Sequence, residues 1–292
     1  MKPAPFEYIA PESLEEALEA LRQNIPDARL LAGGQSLMPL LNLRLIKPKI
    51  IIDLNRISGL NSIKEVSGRL SIGATTRQSS LERSQLVRER CPILAEATKH
   101  IGHAAIRHRG TIGGSLVHAD PAAELPAVAL ALDAKLEVIR DGLSRAIPAE
   151  EFFIDYLTTA LGPEEILRAV FFPVLRPSTG YAVEELTRRH GDFAIAGVAT
   201  AVDLDGEAKI AGARIALFGV APTAVRARRA EAALKGQKPE ADVIRYAATL
   251  LDDALDPPSD IHASGAYRKH VAAVLTVRAL ERAFQVCQKR GA

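Results

Sequence analysis

Cysteine is scarce. Cys91 and Cys287 stand far apart, and no C-x-x-C occurs. A four-cysteine iron–sulfur centre or structural zinc site within this chain is thereby excluded. Tryptophan is absent and aromatic residues amount to 4%, poor material for stacking nucleic-acid bases. Neither sign of charge dominates: 37 Lys and Arg face 35 Asp and Glu, for a formal net charge of +2. No bulk field draws such a chain to nucleic acid or to an anionic membrane. The longest apolar stretch, around Leu125 to Leu132, falls far short of the ~20 residues that span a bilayer. No apolar leader follows Met1-Lys2-Pro3, so the expected location is the cytoplasm, where reducing conditions suit two unpaired thiols. G-x-x-x-x-G-K-[ST], G-x-G-x-x-G and G-x-S-x-G are also missing. That removes the P-loop, the ordinary dinucleotide fingerprint and the nucleophile elbow.

What is present is ordinary globular composition, 48% hydrophobic and 25% charged over 292 residues, enough for two domains. Ser13 and Glu16 fit a capping box before a helix with Leu14, Ala17, Leu18 and Leu21 on one face. Residues 28–32, 50–54 and 70–74 read as strands. Thr75 with Gln78 reads as the cap of a polar helix, and Pro92 opens another to about Ile101. Residues 102–115, glycine-rich and basic, read as a loop. Asp120-Pro121 reads as the start of an Ala-rich helix to about Leu132, divided at Pro126. Residues 135–140 alternate as a strand that Asp141-Gly142 turns into a hairpin. Another strand, 166–172, closes at Pro173. After a linker at 176–180, strands at 181–189, 194–204 and 209–221 precede helices near 223–235, 239–254 and 264–287. Strands followed by helices predict an α+β unit around a three-stranded antiparallel sheet.

Two glycine pairs carry the most information: Ala32-Gly33-Gly34-Gln35-Ser36 and Thr111-Ile112-Gly113-Gly114-Ser115. Paired glycines let consecutive backbone N–H groups converge into a nest that binds an anion without a charged side chain. Ser and Thr hydroxyls add donors. Two nests suit the two phosphates of a dinucleotide. Taken singly, each pair reads first as a tight turn; their shared character brings the nest level with it. His100 and His103 could share a helix face as a metal pair. No carboxylate at motif spacing joins them, so with His108 they read better as loop hydrogen-bond donors. Arg107 and Arg109 either face a pyrophosphate or lie solvated. Asp120 and Glu124 suit a catalytic pair, a ribose acceptor or helix-start acids, the last being the default for Asp120. Cys91 and Cys287 read as packing residues.

In order along the chain, these segments resemble a known family. Leu31-Ala32-Gly33-Gly34-Gln35-Ser36-Leu37-Met38-Pro39-Leu40 is similar to the first FAD-pyrophosphate loop of the medium, flavin-binding subunits of molybdenum hydroxylases. This is the family of bacterial carbon monoxide dehydrogenase and xanthine dehydrogenase. Residues 106–116 resemble its second loop, and 118–126, 151–153, 163–167 and 188–194 fit as well. The resemblance implies an α+β fold of the PCMH-like type. An FAD-binding region would occupy 1–176, in subdomains of about 1–60 and 61–176. A C-terminal domain with a three-stranded antiparallel sheet and helices would occupy 177–292. It implies that Ala32, Gly33, Gly34, Gln35, Ser36 and Leu37 hold the FAD pyrophosphate from one side. Thr111, Gly113, Gly114 and Ser115 would hold it from the other. Ser115 stands where relatives often carry Asn, and its hydroxyl can still donate. Glu124 matches a flavin-contacting acid, Ile101 a side chain approaching the ring, and Leu167, Asp192 and Phe193 segments near the isoalloxazine. Glu184-Glu185 stand where relatives often carry Lys. No catalytic side chain and no metal ligand is implied, because the flavin carries the redox chemistry.

The implied activity is that of an oxidoreductase subunit. FAD on this chain would take electrons from two iron–sulfur clusters of the 2Fe–2S type on a small subunit and pass them to an external acceptor. A large subunit would carry the molybdenum cofactor and the substrate chemistry. These partners would form a dimer of heterotrimers. Two other classes stand beside this reading: a stand-alone FAD-dependent oxidoreductase and a non-enzymatic nucleotide-binding assembly protein.

Overall fold

The computed structural model describes residues 2–291. Three short strands, β1 (Glu7–Ile9), β2 (Ala28–Leu31) and β3 (Ile50–Asp53), form a parallel sheet in the order β1–β3–β2. Parallel strands need crossovers. Helix α1 (Leu14–Gln23) supplies the first and α2 (Leu37–Asn42) the second. Ser13 caps α1, its hydroxyl accepting the Glu16 N–H at 3.1 Å. The Glu16 carboxylate reaches one residue past a capping box and accepts from Glu12 N–H at 3.0 Å. Ala17, Leu18 and Leu21 of α1 pack on Ala28, Ile52 and Leu54. The same cluster includes Ile139 and Ile166 of the next sheet, so the two sheets share apolar contact.

That second sheet has five antiparallel strands in the order β4–β5–β10–β6–β7. They are β4 (Ile63–Val66), β5 (Arg69–Gly73), β6 (Lys135–Arg140), β7 (Leu143–Pro148) and β10 (Ile166–Pro173). Asp141 and Gly142, at φ 49° and 76°, make the tight hairpin between β6 and β7. A short helix α9 (Ala149–Phe152) and a small hairpin, β8 (Phe153–Asp155) with β9 (Thr158–Thr159), precede β10. Between β5 and β6 lie α3 (Gln78–Arg83), α4 (Gln85–Arg90), α5 (Pro92–His100), α6 (Ala104–Arg109), α7 (Ile112–His118) and α8 (Glu124–Ala131).

Three expectations change here. Arg77, not Thr75, is the N-cap of α3, and Thr75 and Gln78 are buried. Residues 102–115 are not a loop: they hold α6 and the start of α7. The Thr111 hydroxyl caps α7 by accepting the Gly114 N–H at 3.0 Å, worth about 1 kcal/mol. The glycines of α7 serve close packing, since a Cβ on Gly113 would lie 2.6 Å from the Ala74 Cβ. Finally, Asp120 does not start α8; its carboxylate accepts from Ala122 N–H at 2.9 Å in a turn before it. The helix begins at Glu124 and is continuous. Pro126 therefore sits in the first turn, where its missing N–H would have had no intrahelical acceptor.

The C-terminal sheet has three long antiparallel strands, β11 (Gly180–Leu186), β12 (Ala196–Leu204) and β13 (Ile210–Phe218), plus a two-residue β14 (Val225–Arg226). Strand β11 ends at Leu186 rather than Arg189. Because β14 pairs with β13, α10 (Arg228–Leu234) begins later than its sequence pattern suggests. Helix α11 (Ala241–Thr249) and the long α12 (Gly265–Gly291) follow, and α12 packs on β11 and β12. Every residue of α8 is buried. Its apolar side chains join Leu70 and Val170 of the five-stranded sheet and Ala199, Ala216 and Phe218 of the C-terminal sheet in one cluster. A helix apolar on all sides needs cover on all sides, and α5, α7 and α9 of its own half, with β12, β13 and β14 of the C-terminal sheet, supply it. Among the described residues no helix is long and apolar enough to cross a membrane.

Candidate functional site

Strand β2 ends at Leu31, and the chain turns through Gly33-Gly34 before α2. Gly34 has φ +74°, a left-handed conformation that strains any side chain. Gly33 is pressed against the α6–α7 junction. A Cβ there would lie 2.6 Å from the Arg109 carbonyl oxygen, 2.8 Å from Gly110 Cα and 3.1 Å from Thr111 N. The two glycine segments that the sequence singles out are therefore in contact. Among the described residues, the N–H groups of Gly33, Gly34, Gln35 and Ser36 have no hydrogen-bond acceptor. Gly33 is buried, and Gly34 and Ser36 are half-buried. Unpaired backbone donors at such depth call for an anion or water to satisfy them. A groove of about 410 Å³ opens beside them, lined by Leu31, Gln35, Met38, Pro39, Asn42 and Arg109 as well as both glycines. Consecutive free donors, no Cβ in the way and an adjoining groove with amide and guanidinium groups fit a dinucleotide's pyrophosphate.

The second segment is not a second nest. Four of its five donors are used internally: Ile112 N–H to Thr76 O at 3.0 Å, Gly113 to Ala74 O at 2.8 Å, and Ser115 to Thr111 O at 3.1 Å, while Thr111 N–H, beside Gly33, has no acceptor among the described residues. Gly114 donates to the Thr111 hydroxyl. Thr111 is buried and Ser115 half-buried. This segment offers hydroxyls and a wall; Gly114 comes closest to Ala32, with 3.9 Å between their Cβ positions.

Of the two arginines before Thr111, Arg107 does not face the cradle. It donates to Glu82 Oε2 at 2.9 Å and to the carbonyls of Ile101 and Gly102, each at 3.1 Å. Arg109 does line the groove. Sequence reasoning misses Arg77 and Asn55, which lie between the two segments. Their only signal is placement, Asn55 just after β3 and Arg77 just after β5. Neither belongs to a motif.

The remaining candidates gather at the junction of α5, α8 and the C-terminal sheet. Ile101, half-buried, caps the end of α5. Next to it His100 Nδ1 lies 3.3 Å from Glu185 Oε1, and the hydrogen bond to that carboxylate raises the imidazole pKa against the opposing effect of burial. Among the described residues the other oxygen, Glu185 Oε2, is buried with no hydrogen-bond partner. Glu124 opens α8 and is 8% exposed. Burial pushes its carboxyl up to about 8, with the charges of Glu185 and Asp120 adding. At pH 7 it is mostly the neutral acid. Glu184 pairs with Arg282 at 2.7 Å. The 187–195 loop brings Gly191 against the His103 ring, and His103 stacks on His190 with centroids 5.8 Å apart. Asp192 is exposed, and Phe193 is 73% exposed at the tip. Leu167 stands apart from these: its side chain is buried in the main core. Cys91 is fully buried, which raises its thiol to about 12 and leaves it inert. The Cys287 thiol donates to Ser178 O at 2.9 Å. Among the described residues no three His, Cys, Asp or Glu side chains converge as a metal site.

Residues 4–175 match the family described as FAD binding domain in molybdopterin dehydrogenase. Residues 181–283 match the CO dehydrogenase flavoprotein C-terminal domain. The chain is 41% identical to the 6-hydroxypseudooxynicotine dehydrogenase complex subunit alpha of Paenarthrobacter nicotinovorans, covering 97% of this chain and 96% of that one. It is 37% identical to the carbon monoxide dehydrogenase medium chain of Hydrogenophaga pseudoflava, covering 98% and 100%. A solved chain of carbon monoxide dehydrogenase from Hydrogenophaga pseudoflava superposes with a TM-score of 0.96 at 39% identity, covering 98% of this chain and 100% of that one. Quinoline 2-oxidoreductase from Pseudomonas putida 86 gives 0.93 at 36% identity, covering 98% and 99%.

Proposed function

We infer the function from one premise: this chain belongs to the FAD-binding medium subunits of the molybdenum hydroxylase family, and is thus an FAD-carrying oxidoreductase subunit. We propose that it receives electrons from iron–sulfur clusters on a small partner subunit and hands them to an external acceptor. The molybdenum cofactor would sit on a large subunit, and the assembly would be a cytoplasmic dimer of heterotrimers. The two cysteines of this chain are buried and unpaired, so the clusters need ligands from another chain. Similar chains serve enzymes named for carbon monoxide, 6-hydroxypseudooxynicotine and quinoline. We therefore assign substrate choice to the large subunit.

The observation that carries the reading is the row of unpaired N–H groups at Gly33, Gly34, Gln35 and Ser36 against the Arg109–Thr111 backbone. We assign these residues to the pyrophosphate, with Ala32 and Leu37 framing them. Gly114 permits the close approach to Ala32, Gly113 lets α7 pack on Ala74 behind it, and we assign the Thr111 and Ser115 hydroxyls to complete the clamp. Ile101, Glu124, Asp192 and Phe193 are assigned to the surroundings of the flavin ring, and Leu167 to the packing behind it. When bound, FAD supplies the exchange between one-electron and two-electron steps. The protein's part is to bind, orient and limit solvent. Neutral Glu124 can donate a hydrogen bond, which an ionised carboxylate cannot. We take residues 1–176 as the cofactor-holding region and 177–292 as the part that covers it.

The test is expression with candidate small and large subunits, followed by co-purification, a visible spectrum and iron and molybdenum analysis. A flavin spectrum with all three chains and both metals is expected. Substrate turnover by the isolated FAD-loaded chain would instead establish a stand-alone oxidoreductase, and a chain without flavin would establish an assembly protein.

A further inference from the structure

Arg77 connects the two glycine segments from behind. It is half-buried as the N-cap of α3. One arm of its guanidinium donates to the Arg109 carbonyl at 2.5 Å and the other to Asn55 Oδ1 at 2.7 Å. Asn55 in turn donates from Nδ2 to the Ala32 carbonyl at 2.8 Å. These are the carbonyls immediately before Gly33 on one segment and before Gly110-Thr111 on the other. The chain of bonds is fixed at both ends. Asp53 Oδ1 accepts the Asn55 N–H at 2.9 Å, and Asp53 Oδ2 accepts the Tyr8 hydroxyl at 2.6 Å. The Arg77 backbone is held on the second segment by Gln78 N–H to Gly110 O at 2.9 Å and Ile112 N–H to Thr76 O at 3.0 Å.

We propose that Arg77, acting through Asn55, is the positioning residue that sets the gap between the two glycine segments, and with it the fit of a diphosphate group between them. The inference rests on the pyrophosphate reading of the Gly33 cradle. A cradle of backbone donors on a turn has no side chain of its own to define its distance from the opposing wall. Hydrogen bonds weaken steeply once that distance drifts. A guanidinium suits the task because its planar fork donates in two fixed directions at once, whereas an ammonium is a single point charge. Charge acts in the same sense. Arg77 and Arg109 are close enough to repel, with Asp53 the carboxylate that opposes this at Arg77; a bound diphosphate relieves that repulsion.

The test is FAD titration of the apo full-length chain, followed by quenching of flavin fluorescence, for wild type, R77A, R77K, N55A and R77A/N55A. Competition by ADP and AMP is measured for each, and the apo melting temperature reports general damage. FAD Kd is expected to rise about ten- to hundredfold in R77A and in N55A. The double variant should be no worse than the weaker single, because both cut one chain of bonds. R77K should fall between wild type and R77A, and the preference for ADP over AMP should shrink in every variant. Should R77A fail to fold, R77K and N55A carry the comparison. FAD Kd within threefold of wild type in R77K and N55A, losses that multiply in the double, or an unchanged ADP preference overturns the proposal. Failure of the wild type to bind FAD, or a Gly33→Ala chain that binds it normally, overturns the pyrophosphate reading instead.

Discussion

Gly33→Ala adds one methyl group where the structure leaves no room for it. The new Cβ would lie 2.6 Å from the Arg109 carbonyl oxygen and 2.8 Å from Gly110 Cα. Ordinary contact begins near 3.4 Å, so one segment must retreat by about 0.8 Å. Both neighbours are backbone, and no side chain can swing aside. Overpacking of this kind costs about 1–3 kcal/mol; the apo chain relieves it by parting the segments, FAD must close them again at that cost, and at 1.4 kcal/mol per decade binding weakens roughly five- to 150-fold. The measurement is FAD titration of the apo chain together with flavin absorbance of the purified protein. Gly206→Ala, at a site with open space around the Cβ, is the control and should bind as wild type does. Valine at Gly33, Gly34 or Gly114 should expel FAD. A Gly33→Ala chain with FAD Kd within twofold of the control would falsify the argument, because it would mean that the contact between the segments does not shape the site.

Three further outcomes follow from separate features. Burial raises Glu124 from 4.5 to about 8, so folding takes up a proton between those values and the stability tied to this group falls as pH rises through them. Glu124→Gln should therefore stabilise the apo chain by about 3 kcal/mol at pH 7 and by about 1 kcal/mol at pH 5. Melting temperatures from pH 5 to 8 show it, and a gain that shrinks with rising pH contradicts the burial argument. Arg107→Ala removes bonds to Glu82 and to the Ile101 and Gly102 carbonyls; it should lower stability in urea by about 2 kcal/mol while weakening FAD less than Gly33→Ala does. The reverse ranking would place Arg107 at the anion. Gly180→Ala sets a Cβ directly against the Ala283 carbonyl oxygen, and must lift α12 from β11 at about 2 kcal/mol or more. An unchanged melting temperature would count against that crossing.

Features governed by neighbours in the chain are legible in the sequence. Ser13 before an apolar stripe caps α1, and Asp141-Gly142 turns β6 into β7. The glycine pairs stand out in the sequence and do meet in space, yet their roles differ. Glycine at Gly34 supplies a turn with free donors, whereas at Gly113 it lets a helix touch Ala74. Composition cannot separate these uses, which is why 102–115 reads as a loop. Helices of six and seven residues also carry too little periodicity to register. The parallel pairing of β1 with β3 joins Glu7 to Ile50, a contact decided by packing rather than local pattern. Arg77 is invisible for the same reason: its partners, Asn55 and Arg109, come from segments remote in the chain. The 187–189 end of the expected strand reads so because its neighbours alternate, but the stretch that it opens meets His103 rather than a sheet.

Helix α8 belongs to the first half of the chain by sequence and to both halves by contact. It packs on α5, α7 and α9 of its own half and on β12, β13 and β14 of the other, so neither half presents a finished surface alone. Separate inheritance of the two halves is thus constrained. An exchange of C-terminal segments between relatives has to preserve the fit of Ala199, Ala216 and Phe218 to a helix encoded far upstream. The stretch 174–179 between β10 and β11 joins the halves along the chain without making them interchangeable parts.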